Sequence, residues 1–175
     1  MRSHRESGFT LIEFLLATAI AAIVLAMALP DIRQSMRANR VAVSTNEFIA
    51  ALSLARNRSF GSLHEGQVCA SADGKHCSGS WNDGWIVWFD RNQDHEPSTD
   101  EILRRASAQD RIDLRATGAP AAAAAMTFDR RGRLSDGRQR DFALTYASCA
   151  SGENDARRIT VASNGQVRVK PAACE

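Results

Sequence analysis

The residues best equipped for chemistry fall into four sets. Arginines gather toward the C-terminus: Arg130, Arg131, Arg133, Arg138 and Arg140 around Gly132 and Gly137, then Arg157, Arg158, Arg168 and Lys170. A guanidinium is planar, permanently charged and offers paired donors, so arginines on loops suit phosphate. The opposing reading is a solvated basic surface, offset by Asp129, Asp136 and Asp141. An acidic run from Asp90 to Glu96 leads on to Glu101. Asp90, Asn92 and Asp94 alternate, and Glu101 falls twelfth, the spacing of an EF-hand calcium loop. His95 replaces the glycine that such a loop needs sixth, Pro97 stands eighth, and no long helix follows. The expectation is therefore no metal, with Asp90, Asn92, Asp94 and Glu101 reading as Asx-capped turns between strands.

Four cysteines, Cys69, Cys77, Cys149 and Cys174, allow three pairings that sequence alone does not choose between. Neither local pair has Cys-x-x-Cys spacing, and only His64 and His76 lie near a cysteine, which argues against zinc. Outside the cytoplasm, disulfides are the natural reading. We favour Cys69–Cys77 closing a tight hairpin and Cys149–Cys174 pinning the C-terminus. The fourth set is one residue, Glu13, a carboxylate inside an otherwise apolar run; such a group is costly in a membrane unless it serves a function. Catalytic signals are lacking: the histidines are scattered, and no serine stands in a nucleophile-elbow context. No enzymatic activity and no cofactor are expected.

The elements that position these groups follow from periodicity. Phe9 to Leu29 is almost wholly apolar and, as a helix, spans about 31 Å, one hydrocarbon core. Arg2 and Arg5 precede it, which keeps the first residues cytoplasmic and sends the rest outward. An ordinary signal peptide cut near Ala26-Met27-Ala28 is the rival reading, and would leave a secreted periplasmic ligand-binding protein. Pro30 removes one helical hydrogen bond and is a site for a kink. From Asp31 to about Ser59, Val41, Phe48, Ile49, Leu52 and Ala55 share one helical face, and Phe60-Gly61-Ser62 ends the helix.

Beyond it the period becomes two. Strands are predicted at 67–70, 84–89, 101–105, 111–116, 125–129, 142–147, 158–162 and 166–170, separated by Asp-Gly and Asn-Gly turns. Trp85 and Trp88 fall on opposite sides of the second strand, and one side is expected to be core. The fold class is α+β: a long N-terminal helix, half transmembrane and half amphipathic, packed on a mainly antiparallel β-sheet or sandwich head. The net charge of +2 is too small to argue for nucleic acid by bulk electrostatics, so any anionic partner needs a local cluster.

Gly8-Phe9-Thr10-Leu11-Ile12-Glu13 resembles the prepilin motif of type IV pilins and type II secretion pseudopilins. The resemblance implies that a prepilin peptidase cuts between Gly8 and Phe9, that Phe9 is N-methylated, and that Glu13 registers the helix against a neighbouring subunit. Pro30 falls where many pilins bend. In the head, Val68-Cys69, the stretch Gly84 to Asp90 and the hairpin Asn164 to Arg168 resemble the FimT/GspH group of minor pilins and pseudopilins. This implies a leader 1–8, an assembly helix 9–29, its amphipathic continuation 30–60 and a periplasmic head 61–175.

The partners implied are major and minor pilins or pseudopilins, the peptidase and the bacterial inner membrane, crossed once before entry into a pilus or pseudopilus. Some FimT-like pilins bind DNA through a Gly-Arg-x-Arg tail. Here the tail reads Gly165-Gln166-Val167-Arg168, while the literal motif occurs earlier, at Gly137-Arg138-Gln139-Arg140. DNA thus enters as a further partner through Arg138, Arg140, Arg168 and Lys170. A FimT-like minor pilin is the leading expectation, and a GspH-like pseudopilin the alternative.

Overall fold

The computed structural model describes residues 10–118, 125–153 and 155–174. One long helix, α1 (Leu11–Ser59), is followed by eight strands: β1 (Gly66–Ala70), β2 (Gly84–Phe89), β3 (Ile102–Ser107), β4 (Ile112–Thr117), β5 (Met126–Phe128), β6 (Arg140–Tyr146), β7 (Ala156–Val161) and β8 (Val167–Ala172). By contacts the chain divides into two compact units, Met1–Arg37 and Ala38–Glu175. In the first, every described side chain from Thr10 to Leu29 is exposed. Among the described residues, α1 is the one helix long and apolar enough to cross a membrane.

The second unit takes in α1 from Ala38 onward, so its core runs across the boundary expected at position 60. Two antiparallel four-stranded sheets make up the rest: sheet A in the order β3-β2-β1-β5, and sheet B in the order β4-β6-β7-β8. Val41, Phe48, Leu52 and Ala55 of the helix are buried with Val68, Val87 and Met126 of sheet A and Leu114, Phe142 and Ile159 of sheet B. Each Val, Leu, Ile, Phe or Met side chain so removed from water contributes about 1.5–3 kcal/mol. Phe48 packs edge-on against Phe142 at 5.0 Å and Trp81 at 5.7 Å, tying helix, sheet B and the β1–β2 connection together.

The buried helical face also carries hydroxyls that an apolar pattern does not reveal. Thr45 donates to the Val41 carbonyl at 2.7 Å and Ser59 to that of Ala55 at 2.9 Å. Ser59 Oγ in turn accepts from the Gly66 amide at 2.7 Å. A Cβ on Gly66 would overlap the Ala55 carbonyl and this hydroxyl, so β1 can start against the last turn of α1 only through glycine.

At the same end, Arg56 Nε donates to the Gly132 carbonyl at 2.9 Å, and the Gly61 amide donates to Arg130 at 3.0 Å. Gly165, at φ +77° in the β7–β8 turn, lies so close to Gly132 that a side chain would overlap its carbonyl oxygen. Any other residue there faces both the left-handed backbone and that contact.

Candidate functional site

Gly8 and Phe9 lie outside the described residues. Thr10 opens α1: its hydroxyl accepts from the Glu13 amide at 3.3 Å, the N-cap half of a Thr-x-x-Glu capping box. Glu13 is exposed in the first helical turn, among exposed Leu11, Ile12 and Phe14. Position 30 lies within α1, which is assigned as helix without interruption from 11 to 59.

The acidic run forms the β2–β3 connection. Asp90 is buried, and its two carboxylate oxygens accept from the amides of Gln93 at 2.7 Å and His95 at 3.2 Å. Both of those residues have positive φ, a conformation the carboxylate holds in place. Glu101 is buried too; it accepts from the Arg91 amide at 2.8 Å, the Asn92 amide at 3.3 Å and the Ser98 hydroxyl at 2.6 Å. The Ser98 hydroxyl, helped by these amides and opposed by burial, holds the Glu101 carboxyl below the ordinary glutamate value. Asn92 and Asp94 bond to each other at 2.7 Å. The four calcium candidates thus turn their oxygens to the loop's own donors. Among the described residues, no group of three or more His, Cys, Asp or Glu side chains is placed to hold a metal ion.

The four basic candidates are divided by the sheet. Arg140 opens β6 opposite Val161 and is only 6 % exposed. It pairs with Asp136 and donates to the carbonyls of Arg138 and Gln139. Asp136 is held below the usual aspartate range: burial would raise it, but the Arg138 amide and the Arg140 guanidinium outweigh that. Arg140 is therefore a brace of its own turn. Of the literal Gly-Arg-x-Arg, Arg138 is exposed and Arg140 is buried.

Arg168 and Lys170 are exposed on β8, opposite Thr160 and Arg158 of β7. That face of sheet B points away from the core, whereas Arg140 lies on the core-facing side. Register puts Lys170 beside Arg158 on that face and Arg168 one rung along, while Arg115 of β4 stands on the rung of Arg158 two strands away. Arg115 was legible only through register, since it is distant in sequence from the other cations.

Cys69 is bonded to Cys77, with Cα atoms 5.5 Å apart, and Cys149 to Cys174, at 5.8 Å. The first bond ties the β1–β2 connection to β1; the second ties the chain end to the β6–β7 connection. The tryptophans revise another expectation, because both sides of β2 are core. Trp85 and Val87 join the central cluster, while Ile86 and Trp88 form a second one with Cys69, flanked by Ile102 and Ala125. β2 is an inner strand of sheet A, so an unbroken apolar run there means burial on both faces.

A family model for the type II transport protein GspH matches residues 44–165, and one for the prokaryotic N-terminal methylation motif matches residues 3–29. No curated protein matches the chain. Two crystal structures of the type IV minor pilin FimU from Pseudomonas aeruginosa are similar to it at 19% identity. In one crystal form the match covers 77% of this chain and 97% of FimU with a TM-score of 0.56; in the other, 78% and 94% with 0.58. At that identity the likeness speaks for the fold alone: a long apolar helix packed on antiparallel sheets. The GspH match extends from the buried half of α1 to the β7–β8 turn, well over half of the chain, and the methylation motif covers the apolar segment before it. The chain therefore belongs to the GspH family, as a type IV pilin-like minor pilin or pseudopilin.

Proposed function

We propose that the chain is a minor pilin that enters a pilus or pilus-initiating complex through its N-terminal helix. The observation that carries this reading is the division of α1. From Leu11 to Leu29 it exposes a surface that is apolar but for Glu13 and Thr18, and from Val41 to Ala55 it is core to the head. Such a helix can leave lipid for a bundle of like helices without unfolding the domain it carries. In this reading a prepilin peptidase cuts between Gly8 and Phe9, Phe9 is methylated, and the inner membrane holds the helix with the head in the periplasm. Glu13 then offers a carboxylate to the α-amino group of an adjacent subunit, which offsets the cost of holding either charge in an apolar bundle. Pro30 is the place where α1 bends on assembly.

Mass spectrometry of the mature protein from its own cell envelope tests the proposal. A first residue of methylated Phe9 is expected; a start near Leu29 would overturn it in favour of a secreted protein.

The family model's description supports a second reading, a pseudopilin of a type II secretion system. Cross-linking of the chain in cells to pilus subunits or to secretion subunits separates the two. A FimT-like role in DNA uptake has less support, because Arg140 is engaged in its turn and the tail carries Gln166 where the motif has arginine. Absence of duplex retardation at low salt and micromolar protein would remove it.

A further inference from the structure

Sheet B presents its outer face to solvent, and the register sets out what stands there. Cross-strand partners share a face, so three outward rungs can be read across β4, β6, β7 and β8. They are Asp113-Thr145-Ala156-Ala172, Arg115-Ala143-Arg158-Lys170 and Thr117-Asp141-Thr160-Arg168. Over the first two rungs lies a cleft of about 250 Å3. Its floor is Ala143, Ala156 and Ala172; one end is walled by the Cys149–Cys174 bond. That wall is reinforced by two backbone hydrogen bonds, Gly152 to the Cys174 carbonyl and Cys174 to that of Glu153.

We propose that this face is a docking cleft for an acidic, extended peptide segment of a partner protein. Three features choose that occupant. Half-buried Ala143 and Ala172 leave the surface low there, so a peptide backbone can lie over them, and Ala156, 2% exposed, closes the bottom of the cleft. Three cations, Arg115, Arg157 and Arg158, line the cleft against one carboxylate, Asp113, while Lys170 and Arg168 stand beside it on the second and third rungs, with Asp141 on the third. Both carboxylates are engaged: Asp113 with Arg115 at 2.9 Å, Asp141 with Thr160 at 2.5 Å and Gln139 at 2.9 Å. The Arg115 side chain is 72% exposed and has donors beyond the one that Asp113 takes.

Spacing fits as well. Neighbouring strands lie about 4.8 Å apart, and same-side residues of an extended peptide recur about every 6.8 Å. Flexible Arg and Lys arms bridge that difference, so alternate carboxylates of a chain crossing the strands come within reach. A nucleic acid fits less well. The interleaved Asp113 and Asp141 oppose a continuous phosphate track, and Trp81, Trp85 and Trp88 are all buried, leaving no indole to stack on bases. The inference goes beyond the helix-mediated assembly proposed above and does not depend on it.

The test uses the full chain in detergent micelles and a fluorescein-labelled octapeptide alternating Glu and Thr, read by fluorescence anisotropy. Binding that weakens with added salt is expected, with the Gln/Thr and Lys/Thr peptides at least about tenfold weaker. Arg115→Gln combined with Lys170→Gln is expected to lower affinity for the Glu/Thr peptide by about tenfold with the thermal melt unchanged. Equal binding of the Glu and Gln peptides overturns the proposal whatever the variant does. So does a folded double variant with undiminished affinity, or a DNA duplex that displaces the peptide and binds more tightly than it.

Discussion

The two sheets have the same number of strands and share one core, yet they treat their outer faces in opposite ways. Sheet A is apolar on both sides of its inner strand β2. Trp85 and Val87 look inward; Ile86 and Trp88 look outward and are as well buried, under cover that includes the disulfide-tied β1–β2 connection. In sheet B the inner strand β6 alternates strictly, reading buried, half-buried, buried along its whole length. The outward positions of the sheet are Arg, Lys, Thr, Asp and Ala. The outer face of β2 is sealed and that of sheet B is displayed. A sealed face can only contribute stability, whereas a displayed one can change with little effect on folding, which is where a partner-specific surface can be carried.

Substitutions can break that contrast. Trp88→Ala, on the outer face of sheet A at 1% exposure, is expected to cost about 3–5 kcal/mol in urea unfolding of the full chain in micelles. A loss under about 1 kcal/mol would mean that the face is not sealed. Next come the disulfides. Replacing Cys149 and Cys174 by Ser opens a loop of 25 residues, and replacing Cys69 and Cys77 one of 8. By loop length these cost about 3.5 and 2.5 kcal/mol, so the sheet B bond should be the more stabilising in the same unfolding experiment. The reverse order would show that cover of sheet A outweighs chain entropy.

A smaller effect is expected in the β2–β3 connection. Glu101 has its folded pKa depressed, so its contribution is present above the ordinary glutamate value and fades as pH falls through the folded one. Stability should decline from about pH 4 downward. Glu101→Gln should flatten that decline and cost about 1–3 kcal/mol at neutral pH, by leaving an amide or the Ser98 hydroxyl unpaired. An unaltered acid profile would assign the decline to other carboxylates. The smallest effect belongs to sheet B's outer face: Thr145→Ser or Lys170→Gln should shift stability by no more than about 0.5 kcal/mol. A larger loss would mean that this face is structural after all.

Much of this was legible in the residues because local signals agree with the fold. Alternation predicts eight strands, and eight are described, each overlapping its predicted range. The Asn164-Gly165 turn stands between β7 and β8 as its type requires. What stayed hidden depends on contacts across the chain. Alternation in Gly84 to Phe89 suggests one buried side, and only the inner position of β2 in sheet A makes both sides core. Arg140 reads as a surface cation until Asp136, four residues earlier, is seen to fold back on it. Ser44, Thr45 and Ser59 look solvated in a helical pattern but are buried, because each finds a hydrogen-bond acceptor: Gln109 for the first and helical carbonyls for the other two. The outward basic set, with Arg115 at its edge, exists only through register. The proposed cleavage site, Gly8–Phe9, lies outside the described residues and rests on its motif alone.

The contact of Arg56 with Gly132, and of Gly132 with Gly165, also has a mechanical meaning. In the filament proposed above, a subunit held by its helix is pulled along that helix whenever the filament is under tension. The last turn of α1 is fastened to the β5–β6 loop, which joins the two sheets, and that loop is pressed against the β7–β8 turn. Force arriving at Arg56 is thus divided between both sheets at once and loads many strand hydrogen bonds together. Without that joint it would peel β1 away from the helix one bond at a time.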